Sequence, residues 1–199
     1  MANTKVRQMA QLAILIAIVL VMAFTPLGYL RIGTLSITFL TIPVAIGAVI
    51  LGPSAGALLG FIFGMTSFLQ CFGLDAFGTA LMAVSPLCTF LMCVGTRTLM
   101  GWLAGLIFRL LNRGGPVLRG VATSIACVSC PVLNTLFFMS TLYLFFGRSG
   151  AVLEAYGSMT FFGFIFTAVT INSILELVAT LVVGTVICTT VQLAVRHSR

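Results

Sequence analysis

Six apolar stretches, at about 10–30, 36–52, 54–72, 77–111, 119–146 and 159–195, are separated only by proline, glycine or scattered charge. A helix needs about 20 apolar residues to cross the hydrocarbon core of a bilayer, so the pattern predicts helices that span a membrane. Composition agrees. Hydrophobic residues make up 60% of the 199 residues and Asp, Glu, Lys and Arg only 7%, against roughly 25% charged in a soluble domain. So few charges cannot clothe a water-soluble sphere, whereas a lipid-facing protein is as apolar outside as inside. The expected fold is an all-α membrane protein: a six-transmembrane-helix bundle, one integral domain over 1–199, multi-pass in lipid.

Punctuation and charge set the expected topology. Lys5 and Arg7 precede the first stretch, and no small-residue cleavage site follows a short apolar core, so a retained helix is expected rather than a signal peptide. Pro26 and Gly28 end that helix, and Gly52, Pro53 and Ser54 mark a tight break between the second and third. With a cytoplasmic N-terminus, the inner side carries Lys5, Arg7, Arg109, Arg113, Arg119, Arg196 and Arg199. The outer side then carries Arg31 and Arg148, together with Asp75 and Glu154. This bias places both termini in the cytoplasm.

The same inventory excludes whole classes of function. The net charge of +7 would suit nucleic acid, but the cations sit at helix ends rather than in a run, so lipid and not nucleic acid is the expected surroundings. One histidine, His197, and three carboxylates, Asp75, Glu154 and Glu176, supply neither a metal centre nor paired-carboxylate catalysis. No metal, cofactor or enzymatic activity is expected. The cysteines lie in apolar stretches, and Cys127 with Cys130 forms a lone CxxC that reads as packing. GxxxxGK[ST] is absent, so the chain cannot drive transport by its own nucleotide hydrolysis.

Two patterns remain. Gly52, Gly56, Gly60 and Gly64 recur every fourth residue, and Gly101 and Gly105 repeat the spacing, which lets helix backbones approach closely; helix packing within the chain is the first reading of it. Ala13 and Ala17 form a second small pair. Arg97, Asn134, Asn172 and Glu176 lie deep in apolar segments, where ionisable groups face the bundle interior, pair, or line a cavity. Arg97 and Glu176 sit at comparable depth and could form an ion pair. Asn172 and Glu176 share a helix face, and Asn134 follows Pro131. Either a polar pocket or interhelical hydrogen bonding accounts for Asn134.

The chain resembles the substrate-binding membrane subunit, or S component, of energy-coupling factor (ECF) vitamin transporters. The likeness is carried by AILIA with Ala13 and Ala17, the run from Ile32 to Gly64, GTRTLMGWLAGLIFRLL from Gly95 to Leu111, LNTLFFMSTLYLFFG from Leu133 to Gly147, and NSILELV from Asn172 to Val178. It implies a prokaryotic plasma-membrane protein that binds a vitamin tightly. Its partners would be a scaffold transmembrane subunit and two ATPase subunits that supply the energy. Ala13 and Ala17 would contact the scaffold, with the glycine ladder keeping that face smooth. The vitamin would lie in the outer half, between helices four to six.

Within the family the chain is most similar to the pantothenate, cobalamin and folate carriers, and to the pantothenate type in particular. Pantothenate offers one carboxylate, hydroxyls and an amide. On this resemblance Arg97 or Arg31 would meet the carboxylate, with Asn134, Tyr143, Thr79 and Asn172 serving the rest. Two other classes stand beside this one. A self-sufficient secondary transporter or small channel would need Arg97 and Glu176 to gate a pathway, and a structural membrane subunit would use its polar residues only for packing.

Overall fold

The computed structural model describes residues 2–26, 28–32, 35–112, 115–147 and 174–197. The chain runs through helix α1 (Ala2–Ala23), strands β1 (Tyr29–Ile32) and β2 (Leu35–Thr38), and helices α2 (Thr41–Ile50) and α3 (Pro53–Gln70). It continues through α4 (Ala76–Val84), α5 (Pro86–Phe90), a π-helical turn at Leu91–Gly95, α6 (Thr96–Leu111) and α7 (Pro116–Phe146). The last described part is α8 (Ile174–Ala179), a second π-helical turn at Thr180–Gly184, and α9 (Thr185–His197).

The architecture is mostly helical, with one departure from the all-α expectation. The helix expected over 10–30 ends at Ala23, and the helix expected over 36–52 begins at Thr41. Between them β1 and β2 pair antiparallel, Tyr29 opposite Thr38 and Arg31 opposite Ser36. The cause is local. Pro26 has no N–H to continue a helix, and at Gly28 a Cβ would stand 2.1 Å from the Met22 carbonyl oxygen, so only glycine makes that turn. The Gly28 carbonyl then accepts the Phe39 N–H at 2.9 Å, closing the base of the hairpin.

The stretch expected as one helix over 77–111 is divided at Ser85, which adopts an extended conformation with φ −158°. Its hydroxyl accepts the Cys88 N–H at 3.4 Å, and Pro86 occupies the first turn of α5, where its missing N–H costs nothing. Among the described residues, Lys5–Ala23, Pro86–Leu111 and Leu118–Phe146 are long and apolar enough to cross a membrane. Thr41–Ile50 and Glu176–Val191 are shorter apolar helices.

α3 lies against α6 along the glycine ladder. A Cβ on Gly56 would meet the Gly101 carbonyl oxygen at 2.3 Å, one on Gly60 the Arg97 carbonyl oxygen at 2.2 Å, and one on Gly64 the Val94 Cα at 2.6 Å. Gly105 closes on Pro53 in the same way. From Gly56 to Gly64 the ladder is therefore an internal seam, as packing within the chain requires, and the expectation from the resemblance that it smooths a partner-facing surface is corrected: its open side is filled by α6 and the π-helical turn before it. Around the seam are two apolar clusters. One gathers Val19, Leu40, Val44, Leu59, Phe63 and Met100; the other gathers Cys71, Leu81, Met92, Leu142 and Phe146.

Candidate binding site

A polar belt lies where the two apolar clusters meet, and the α3–α6 seam positions its centre. Arg97 is the second residue of α6, immediately past the π-helical turn, and only 8% of it is exposed. Its backbone is pressed against Gly60, so its side chain runs along the α3 surface. The guanidinium stands 4.7 Å from the centroid of Phe63, a member of the first cluster, and 5.2 Å from that of Phe138, which packs on the second. Both contacts are cation–π interactions, favourable where water is excluded. Nη1 donates to the Cys93 carbonyl at 3.1 Å, while Nε is buried without a hydrogen-bond partner among the described residues.

Asn134 sits one helical turn before Phe138 on α7, 7% exposed, and its Oδ1 is also buried without a partner. Glu176, on α8, is 4% exposed. Its Oε1 accepts the Thr38 backbone N–H at 2.7 Å, tying the end of the hairpin to the last helical segment, while Oε2 has no partner among the described residues. The Arg97 guanidinium attracts the Glu176 carboxylate, yet among the described residues no salt bridge joins them. The direct ion pair considered from the sequence does not form, because Glu176 is turned to the Thr38 amide and Arg97 to Cys93 and the two rings.

Several polar side chains packed in the same bundle are satisfied, while the Thr25 and Thr185 hydroxyls are not, among the described residues. The Tyr29 hydroxyl bonds Ser67 Oγ at 3.2 Å, Gln70 Nε2 donates to the Ala23 carbonyl at 2.6 Å, and the Thr41 and Thr180 hydroxyls meet at 3.3 Å. A charge or amide in an apolar interior is costly unless every donor and acceptor is met. Three nine-tenths-buried side chains each keep one atom unmet among the described residues, Arg97 a donor and Asn134 and Glu176 acceptors, and a polar solute can meet such atoms.

The other expected site residues are placed as follows. Thr79 is exposed near the start of α4, its hydroxyl donating to the Asp75 carbonyl at 2.7 Å, away from the belt. Tyr143 packs half-buried on the second apolar cluster, roughly two and a half turns beyond Asn134 on α7. Arg31 lies in β1, in register with Ser36. Asn172 falls outside the described residues. Ala13 and Ala17 lie on the exposed side of α1, opposite Leu15 and Val19, which face the bundle.

Sequence reasoning missed Phe63, Phe138, Thr38 and Gln70. The two rings had no signal, since phenylalanine in an apolar run is ordinary core. Gln70, an amide at the end of an apolar stretch, had one.

Two comparisons bear on this arrangement. The chain is similar to the pantothenic acid transporter PanT of Lactococcus lactis subsp. cremoris, with 26% identity over 169 residues, covering 75% of this chain and 79% of that protein. The family model described as ECF transporter, substrate-specific component, matches residues 7–188, a span that holds the seam, the hairpin and Arg97, Asn134 and Glu176. This membrane protein belongs to the substrate-specific components of ECF transporters.

Proposed function

We propose that this chain is the pantothenate-binding subunit through which an ECF-type ABC transporter takes up that vitamin in a prokaryotic plasma membrane. It would span the membrane six times as a single integral domain over 1–199, with both termini cytoplasmic. A scaffold transmembrane subunit and two ATPase subunits on other chains would supply the energy, and the chain itself catalyses nothing. The observation that carries the reading is the buried Arg97 guanidinium, held over Phe63 and over Phe138, one helical turn after Asn134, with Arg97 Nε and Asn134 Oδ1 each unpartnered among the described residues. A lone fixed cation in an apolar setting suits a ligand with one carboxylate. The similarity to the Lactococcus pantothenic acid transporter supports that choice among vitamins.

The test is mass spectrometry of small molecules released from the protein purified alone in detergent, followed by titration of wild type and Arg97→Ala. Pantothenate is expected in the released fraction, and Arg97→Ala should weaken binding about tenfold to a hundredfold, the worth of a charge-assisted hydrogen bond. A protein that neither carries pantothenate nor is stabilised by it would refute the substrate. An Arg97→Ala variant with a lowered melting temperature and unchanged affinity would make Arg97 structural.

A further inference from the structure

The geometry points to Glu176 as the second pole of the ligand site, fixing the ligand's direction: carboxylate at Arg97, uncharged hydrogen-bond donor at Glu176 Oε2. This rests on the reading of the site as one for pantothenate and adds to it an orientation and a rule of exclusion.

Glu176 divides its oxygens between two tasks. Oε1 is committed to the Thr38 amide at the end of the hairpin; Oε2 is buried and has no donor among the described residues. A carboxylate oxygen stripped of water and left unmet is among the costlier states a side chain can occupy, and it persists where a ligand completes it. Arg97 does not complete it: Nη1 donates to the Cys93 carbonyl, and the guanidinium lies over the Phe63 and Phe138 rings. Arg97 can only donate, whereas the orphaned oxygens of Asn134 and, with its carboxylate ionised, Glu176 can only accept.

The three atoms together call for an acceptor at one end of the solute and donors along the rest. An anion at one end, an amide N–H and a hydroxyl at the other meet all three. The reverse direction would set the ligand carboxylate against Glu176, where repulsion is strong because little water screens it. By the same repulsion a second anionic group on the hydroxyl end is excluded. The carboxylate that reads that end also anchors β2, so the ligand and the hairpin are held through one side chain.

The experiment measures binding of three solutes to the purified full chain: pantothenate, its alcohol analogue with CH2OH in place of the carboxylate, and the ester bearing phosphate on the terminal hydroxyl. Wild type should bind pantothenate at least about tenfold more tightly than either of the others, the scale of one lost charge-assisted bond or one buried like-charge contact. Glu176→Gln keeps an oxygen for Thr38 and removes the charge, so it should narrow the preference against the phosphate ester while leaving the preference against the alcohol. Arg97→Gln should do the opposite.

Wild type binding the phosphate ester as tightly as pantothenate, or Glu176→Gln changing all three affinities equally, would overturn the orientation while leaving the pantothenate reading intact. Failure of wild type to bind pantothenate at all would overturn both. The wild-type comparison needs no variant to fold; Glu176→Asp, which retains the charge, should retain the exclusion.

Discussion

Polar side chains inside this bundle either hold it together or wait for something else. Gln70 is of the first kind: its Nε2 meets the Ala23 carbonyl at the C-terminal end of α1, where a helix has no further N–H to offer. Gln70→Ala leaves that carbonyl buried and unmet, so it should cost about 1–3 kcal/mol and lower the melting temperature in detergent. Asn134 is of the second kind, because removing its orphaned Oδ1 strands no partner. Asn134→Ala should cost less stability than Gln70→Ala and show its effect in ligand titration as weaker binding. The reverse order in thermal unfolding would assign Asn134 to the scaffold. Chemical type alone made Arg97, Asn134 and Glu176 stand out in an apolar sequence; their unmet atoms became visible only once their neighbours were placed.

Helix pairing depends on the glycine seam. In lipid, helices gain little from hiding apolar surface, so close backbone approach and van der Waals contact must hold α3 to α6. Gly60→Ala drives a Cβ to 2.2 Å from the Arg97 carbonyl oxygen, against backbone that cannot rotate away. The helices must separate, and a loss of about 1–3 kcal/mol or more is expected from overpacking, with Arg97 displaced as well. Gly120, in α7, is a matched control with nothing within 4 Å of a built Cβ. Gly120→Ala should be neutral or stabilise by up to about 1 kcal/mol through helix propensity. Thermal unfolding of the two variants beside wild type checks the pair; equal responses would mean the seam does not bear the packing. Both buried charges lie next to π-helical turns, Arg97 after Leu91–Gly95 and Glu176 before Thr180–Gly184. Such insertions commonly mark functional sites, because they re-aim side chains relative to the rest of a helix.

The molecule presents α1 at its edge. Leu15, Val19 and Ala23 form the inward stripe, while Ala13 and Ala17 stay on the outer side among exposed Ile14, Ile18 and Val21. A side chain there points away from the inward stripe, on the exposed side of the helix. Ala13→Trp and Ala17→Trp should therefore leave the melting temperature and ligand affinity of the isolated subunit unchanged, and reduce its recovery in a pull-down with the transporter's other subunits. Full recovery of both variants would place the subunit contact on another face.

Hydropathy, charge placement and small-residue spacing are local properties, and they were enough to establish a helical membrane protein, a close helix seam and the three interior polar residues. The hairpin, the division at Ser85 and the direction in which the seam faces were not legible, for a common reason. Each depends on what a segment meets, and the decisive contacts join distant residues: Glu176 and Thr38 are 138 positions apart, Thr41 and Thr180 139. Periodicity tells which side of a helix is small or apolar; only packing decides which neighbour fills that side. Packing therefore set Arg97 against two rings and left Glu176 one oxygen for the hairpin and one without a partner.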